Sequence, residues 1–114
     1  MKLSTQEMGD FFILDIEGEV DAEHAPQLKK AVTRIKEGAF KGIALDFAKV
    51  GFIDSTGLGI LISLMRDLKE QGRHLRLVGL VGEVRSIFEI TRLYKVFDLS
   101  DTLDKALQDM RAKF

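Results

Sequence analysis

Gly42-Ile43-Ala44-Leu45-Asp46-Phe47 is a short, nearly continuous apolar run. A strand with one wet face alternates apolar and polar residues; a run without that alternation suits a strand covered on both faces. The run is therefore read as a central parallel strand. Parallel neighbours are reached only through long crossovers, usually helical, and the flanking sequence supplies them. Upstream, Leu28, Ala31, Val32 and Ile35 repeat at helical spacing, with Pro26 suited to the first turn and Gly38 to the stop. Downstream, Leu58, Leu61, Ile62, Met65 and Leu68 form a longer helical stripe running up to Gly72.

The remaining elements follow the same alternation. Phe11–Ile16 reads as a strand, paired through a Gly9-Asp10 turn with a weaker strand near Leu3–Glu7. Leu75–Val78 is the next strand, Val84, Ile87 and Phe88 mark a helix ending near Leu93, and Val96–Leu99 is a short edge strand. Ser100 or Asp101 is expected to cap a last helix bearing Leu103, Ala106, Leu107 and Met110. The order ββαβαβα(β)α implies an α/β domain with a mostly parallel or mixed sheet. No linker or internal repeat divides it, so residues 1–114 are read as one domain.

Several function classes drop out. Cysteine is absent, which removes disulfides, thiolate catalysis and Cys-based metal sites. Net charge is −1, giving no general pull toward nucleic acid or an anionic membrane. No apolar run approaches the ~20 residues of a membrane helix, and Met1–Glu7 lacks the apolar core of a secretory signal. The expectation is a cytoplasmic protein.

Chemistry concentrates in Ile53-Asp54-Ser55-Thr56-Gly57-Leu58-Gly59, where the long helix begins. A helix start presents free N–H groups and partial positive charge. A hydroxyl there can cap the helix, or it can carry and hold a phosphate. Asp54, Ser55 and Thr56 supply more capping groups than one helix needs, and Gly57 and Gly59 keep bulk away and allow another backbone to approach. Ile60 and Leu64 widen the apolar arc of this helix to roughly 200°. Such an arc suits burial between sheet and neighbour, the favoured reading, and would also suit a flank shown to a partner.

Other chemistries fit less well. A nucleophile elbow needs glycine where Ile53 stands, and no phosphate-binding glycine loop is present. The only histidines, His24 and His74, lie in polar surroundings just before a helix and a strand; nothing in the sequence ties either to Ser55 as a base, so a hydrolase is disfavoured. Asp15, Glu17, Glu19, Asp21 and Glu23 form an acidic string without calcium-loop spacing. It reads as a solvated strand end, with pairing to a basic partner as the alternative. Lys29, Lys30, Arg34 and Lys36 read as a solvated helix face.

Asp54-Ser55-Thr56-Gly57-Leu58-Gly59, preceded by Leu45-Asp46-Phe47 and Phe52-Ile53, resembles the signature of the bacterial anti-sigma factor antagonists of the STAS domain family. Gly18-Glu19-Val20-Asp21, Leu75–Val78, Ile87-Phe88 and Leu93–Phe97 extend the resemblance over nearly the whole chain. It implies a STAS fold: a four- to five-stranded mixed sheet with about four helices packed mainly on one face. It implies a partner-switching regulator rather than an enzyme. No motif in the sequence requires a cofactor, and a monomer or weak dimer is expected. Its partners would be an anti-sigma factor that is an ATP- and Mg²⁺-using serine kinase, and a metal-dependent serine phosphatase. The phosphoacceptor falls on Ser55. The partner surface would comprise Asp54, Ser55, Thr56, Gly57, Glu19 and Asp21, with Ile60 and Leu64 added from the apolar flank. Other STAS proteins serve phospholipid-transport or stressosome-type complexes, where the same motif would be a docking surface.

Overall fold

A computed structural model describes residues 1–114. Strands β1 (Lys2–Met8) and β2 (Phe11–Val20) form the amino-terminal hairpin, followed by α1 (Ala25–Glu37), β3 (Gly42–Ile53), α2 (Ser55–Glu70), β4 (His74–Val78), α3 (Gly82–Ile90), a 3-10 turn (Leu93–Lys95), β5 (Asp98–Ser100) and α4 (Leu103–Arg111). The five strands lie in sequence order across one sheet. β1 is antiparallel to β2, and every later pairing is parallel. The element order and the mixed sheet are those expected from the alternation of patterns.

Side-chain alternation sorts the core into two layers. Phe12, Leu14 and Ile16 of β2, Ile43, Leu45 and Phe47 of β3, and Leu75 and Leu77 of β4 join the larger cluster with α1, α2 and α3. The intervening residues Phe11, Ile13, Ala44 and Val78 face the other way and meet Ala106, Leu107 and Met110 of α4. Three helices thus cover one face and α4 the other. The period-2 rule explains how strands that read as continuous apolar runs serve both faces.

Three boundaries differ from expectation. β3 runs on to Ile53, because Val50 and Ile53 regain the buried face after register irregularities between β2 and β3. β5 begins only at Asp98; Phe97 lies before it, buried against Phe88 at 5.5 Å between ring centroids. The last helix is capped by Thr102, whose hydroxyl accepts from the Lys105 N–H at 3.2 Å, not by Ser100 or Asp101. Ser100 is drawn into β5 by Arg76, whose Nη1 donates to its Oγ at 3.1 Å.

Leu64 requires a correction. Read from the sequence as part of a partner-facing flank, it is fully buried in the main core. It shares the buried stripe of α2 with Leu61 and Leu68. Ile60, one turn earlier, stays half-buried at the edge of the same core.

Candidate functional site

The site is built where β2 and β3 end together. Glu19 pairs with Phe52 and Val20 with Ile53, so the loops leaving the two strands start side by side. The Asp54 N–H then donates to the Val20 carbonyl at 3.2 Å. Asp54 leaves the strand with extended backbone and becomes the cap of α2. Its Oδ1 accepts from the Gly57 N–H at 2.9 Å, and its Oδ2 from the Ala22 N–H at 3.0 Å. Both oxygens are engaged: one closes the first turn of α2, the other holds the β2–α1 loop beside it. Capping is thus the structural role of Asp54, and the bond to Ala22 is one that sequence reasoning missed.

Gly57 shows why the spacing is tight. It is buried, and a Cβ there would lie 2.4 Å from the Val20 carbonyl oxygen and 2.7 Å from Val20 Cγ1. Only glycine lets the first turn of α2 press this closely on β2. Gly59 is the opposite case: a Cβ there would meet nothing within 4 Å.

Between these fixed points, Ser55 and Thr56 occupy the first two helical positions and are both exposed. No hydrogen bond within the chain involves either hydroxyl, and their backbone N–H groups are the open ones of the helix start. The surface therefore presents two free hydroxyls and two free N–H groups at the positive end of a 16-residue helix. That arrangement suits an oxyanion attached to or bound beside Ser55.

The acidic loop lies alongside. Asp21 Oδ1 accepts from the His24 N–H at 3.1 Å and contacts His24 Nδ1 at 2.7 Å. Burial works to raise the Asp21 pKa, but the bonds and positive charge from His24 outweigh it and hold the carboxyl below its ordinary value. Asp21, Glu23 and His24 bring ligand-type atoms within 4.8 Å of one another, and the Asp21–His24 hydrogen bond accounts for the closeness of that pair. Glu19 is exposed opposite Phe52, itself an exposed aromatic at 40% accessibility three residues before Ser55. The sequence placed Phe52 in the signature but not on the partner surface; its exposed position on β3 adds an apolar contact to this rim.

Neither histidine makes a hydrogen bond to Ser55. His24 is turned to Asp21, and His74 opens β4 opposite Gly42, at the other end of β3 from Ser55. The hydroxyl is thus exposed but not activated as a nucleophile. A cavity of about 670 Å³ lies between α3 and α4 among residues such as Arg85, Tyr94 and Lys105, and no residue of the 53–59 stretch lines it.

The STAS domain family model matches residues 2–106. The chain belongs to the STAS domain family. The anti-sigma-B factor antagonist of Listeria monocytogenes is 33% identical over 94 residues, which cover 81% of each chain. An anti-sigma factor antagonist from Mycobacterium paratuberculosis superposes with a TM-score of 0.88 at 26% identity, covering 96% of this chain and 93% of that one. The Bacillus cell fate determinant SpoIIAA in its phosphorylated form has the same fold, with a TM-score of 0.74 at 20% identity over 95% of this chain and 98% of that one. No helix of this STAS chain is long and apolar enough to cross a membrane.

Proposed function

We propose that this STAS protein is an anti-sigma factor antagonist whose binding state is set by phosphorylation of Ser55. The unmodified protein binds an anti-sigma factor that is also a serine kinase, and so frees the sigma factor. The kinase transfers the γ-phosphoryl group of ATP to Ser55 Oγ, releasing ADP and the hydroxyl proton. A metal-dependent phosphatase hydrolyses the ester and restores binding. On this reading the whole chain works in the cytoplasm as one regulatory domain, without catalysis of its own.

The observation that carries this reading is the division of labour between neighbours. Asp54 is committed to the fold through both oxygens, whereas the Ser55 hydroxyl next to it is exposed and committed to nothing. Similarity to anti-sigma-B factor antagonists supports the role, and the known phosphorylated form of SpoIIAA supports the chemistry.

The physics of the switch follows. A phosphate adds about −1.5 to −2 charges and three acceptor oxygens. The helix start and its open N–H groups offset the repulsion from Asp54, so the fold tolerates the modification. A partner that covers Ser55, Thr56, Glu19 and Asp21 must instead desolvate a dianion beside carboxylates, at a cost of several kcal/mol. A loss of ~2.7–4 kcal/mol already weakens affinity about 100- to 1,000-fold.

The test is intact mass and affinity with the kinase. Ser55→Ala is expected to bind as wild type and gain no phosphate; Ser55→Asp is expected to bind more weakly. Equal labelling of Ser55→Ala, on Thr56, would overturn the assignment.

A further inference from the structure

Beside Ser55 lies a groove of about 450 Å³ between α1 and α2 that the fold does not use. Lys29, Val32, Thr33 and Lys36 line it from α1, at positions i, i+3, i+4 and i+7. Thr56, Gly59, Ile60 and Ser63 line it from α2 with the same spacing. Each set is one stripe of a helix, so the groove runs along both helices for about 10 Å, two helical turns.

We propose that this groove seats an acidic segment of the protein partner that engages Ser55. The proposal rests on the reading of Ser55 given above and adds the chemistry of what binds next to it. Three observations carry it. The first is charge. α1 holds Lys29, Lys30, Arg34 and Lys36 in a chain whose net charge is −1, and only Lys36 is neutralised, by Asp67 of α2. Lys29 is the one cation lining the groove that forms no ion pair within the chain; Lys30, Arg34 and Glu37 of α1 do not line it. Such a surface attracts a negatively charged chain.

The second is Gly59. Glycine in the first turns of a helix costs up to about 1 kcal/mol against alanine. At Gly57 the contact with Val20 explains it, but at Gly59 nothing in the chain approaches the missing side chain. A partner backbone lying close to α2 accounts for that glycine. The third is polar capacity. Thr56 and Ser63 line the groove, and no hydrogen bond within the chain engages either hydroxyl. The half-buried Ile60 between them supplies an apolar floor.

This arrangement favours a protein segment over a lipid surface. The groove is concave, and the exposed large apolar side chains, Phe52, Val81, Ile90, Tyr94, Val96 and Phe114, all lie outside it and outside α1. Its position also links it to the switch. Thr56 is its first residue, so a phosphate on Ser55 stands at its mouth and repels an acidic occupant.

Two measurements test the proposal. In an amide NMR titration of the full chain with an oligoglutamate peptide, shifts are expected at Thr33, Thr56, Gly59 and Ser63, and they are lost in Lys29→Glu. Shifts confined to other surfaces, or none at millimolar peptide, overturn it, as does Lys29-dependent capture of the protein by phosphatidylserine vesicles without those shifts. In the second, affinity for the kinase that labels Ser55 is expected to fall tenfold or more in Gly59→Leu while the melting temperature holds or rises. If Ser55→Asp weakens binding but Gly59→Leu and Lys29→Glu do not, the groove is wrong and the switch stands. If Ser55→Asp has no effect either, the switch itself fails.

Discussion

Two glycines in one helix, two residues apart, are expected to answer the same substitution with opposite signs. Gly57→Ala places a methyl group 2.4 Å from the Val20 carbonyl oxygen and 2.7 Å from Val20 Cγ1. The first contact is with backbone, which has no rotamer to escape into. That same carbonyl accepts the Asp54 N–H at 3.2 Å, so moving α2 away stretches the bond that joins it to β2. Overpacking of this kind costs about 1–3 kcal/mol, and a weakened backbone hydrogen bond adds about 1. The gain in helix propensity returns about 1 kcal/mol. The net expectation is a loss of about 2 kcal/mol. Gly59→Ala meets nothing and keeps only the propensity term, a gain of about 1 kcal/mol. Urea denaturation separates the two: with a slope of about 2 kcal/mol per molar, the midpoints differ by about 1.5 M, wild type lying between. Gly57→Ala also displaces the turn that presents Ser55, so phosphorylation by the cognate kinase slows together with the loss of stability. A Gly57→Ala protein as stable as Gly59→Ala would refute the close packing of α2 on β2 and the role given to this glycine.

Two further substitutions probe the frame around the site. Arg73 donates to the carbonyls of Phe40 (2.6 Å), Ile35 (2.9 Å) and Lys36 (3.3 Å), closing the end of α1. Arg73→Met is expected to cost about 2–4 kcal/mol in chemical denaturation, and Arg73→Lys to recover little, because an ammonium group does not match three divergent carbonyls. His74 stands edge-on to Phe114 at 5.1 Å, and burial, followed by the positive charge of Lys113, lowers its pKa below the ordinary histidine value. The unfolded chain therefore takes up the proton first on acidification. The stability associated with neutral His74 is full above about pH 6.5 and declines as the pH falls toward the lowered folded value. Melting curves from pH 7.5 to 5.5 should show this decline in wild type and a flatter profile in His74→Gln; equal slopes would contradict the direction of the shift.

Local pattern sufficed for the order of elements, because each strand and helix keeps its own period over enough residues to be read alone. What escaped the sequence depends on partners far along the chain. The second bond of Asp54 reaches Ala22, 32 residues away, and those of Arg73 reach back 33 to 38 residues. Ser100 has the composition of a helix cap, but a half-buried arginine 24 residues earlier claims its hydroxyl. Leu64 was ambiguous for a related reason. A broad apolar arc records how much of a helix is covered, not by what; Leu64 joins Leu61 and Leu68 in the core of the same chain, while Ile60 stays at the groove. At the site, the composition of the 53–59 stretch marked the place, but only the packing separates Gly57, which the fold needs, from Gly59, which it does not.

That separation decides what kind of switch the stretch can be. Ile53 is in the core, Asp54 joins two loops, and Gly57 abuts β2. Ser55 and Thr56 are held rigidly by these neighbours yet contribute no side-chain hydrogen bond to the fold. A switch that worked by refolding this turn would have to break both bonds of Asp54, each a hydrogen bond to a charged group of about 1.5–3 kcal/mol. Phosphorylation at Ser55 gains little from doing so, since the open N–H groups of the helix start already accommodate the new charge. The cheaper response leaves the backbone in place and changes the surface. On the proposed reading, the modification is read by what docks there, between the acidic rim of Glu19 and Asp21 and the groove lined by Lys29. A partner carrying acidic groups toward that groove would meet the phosphate as repulsion, which makes loss of binding the expected outcome of modification.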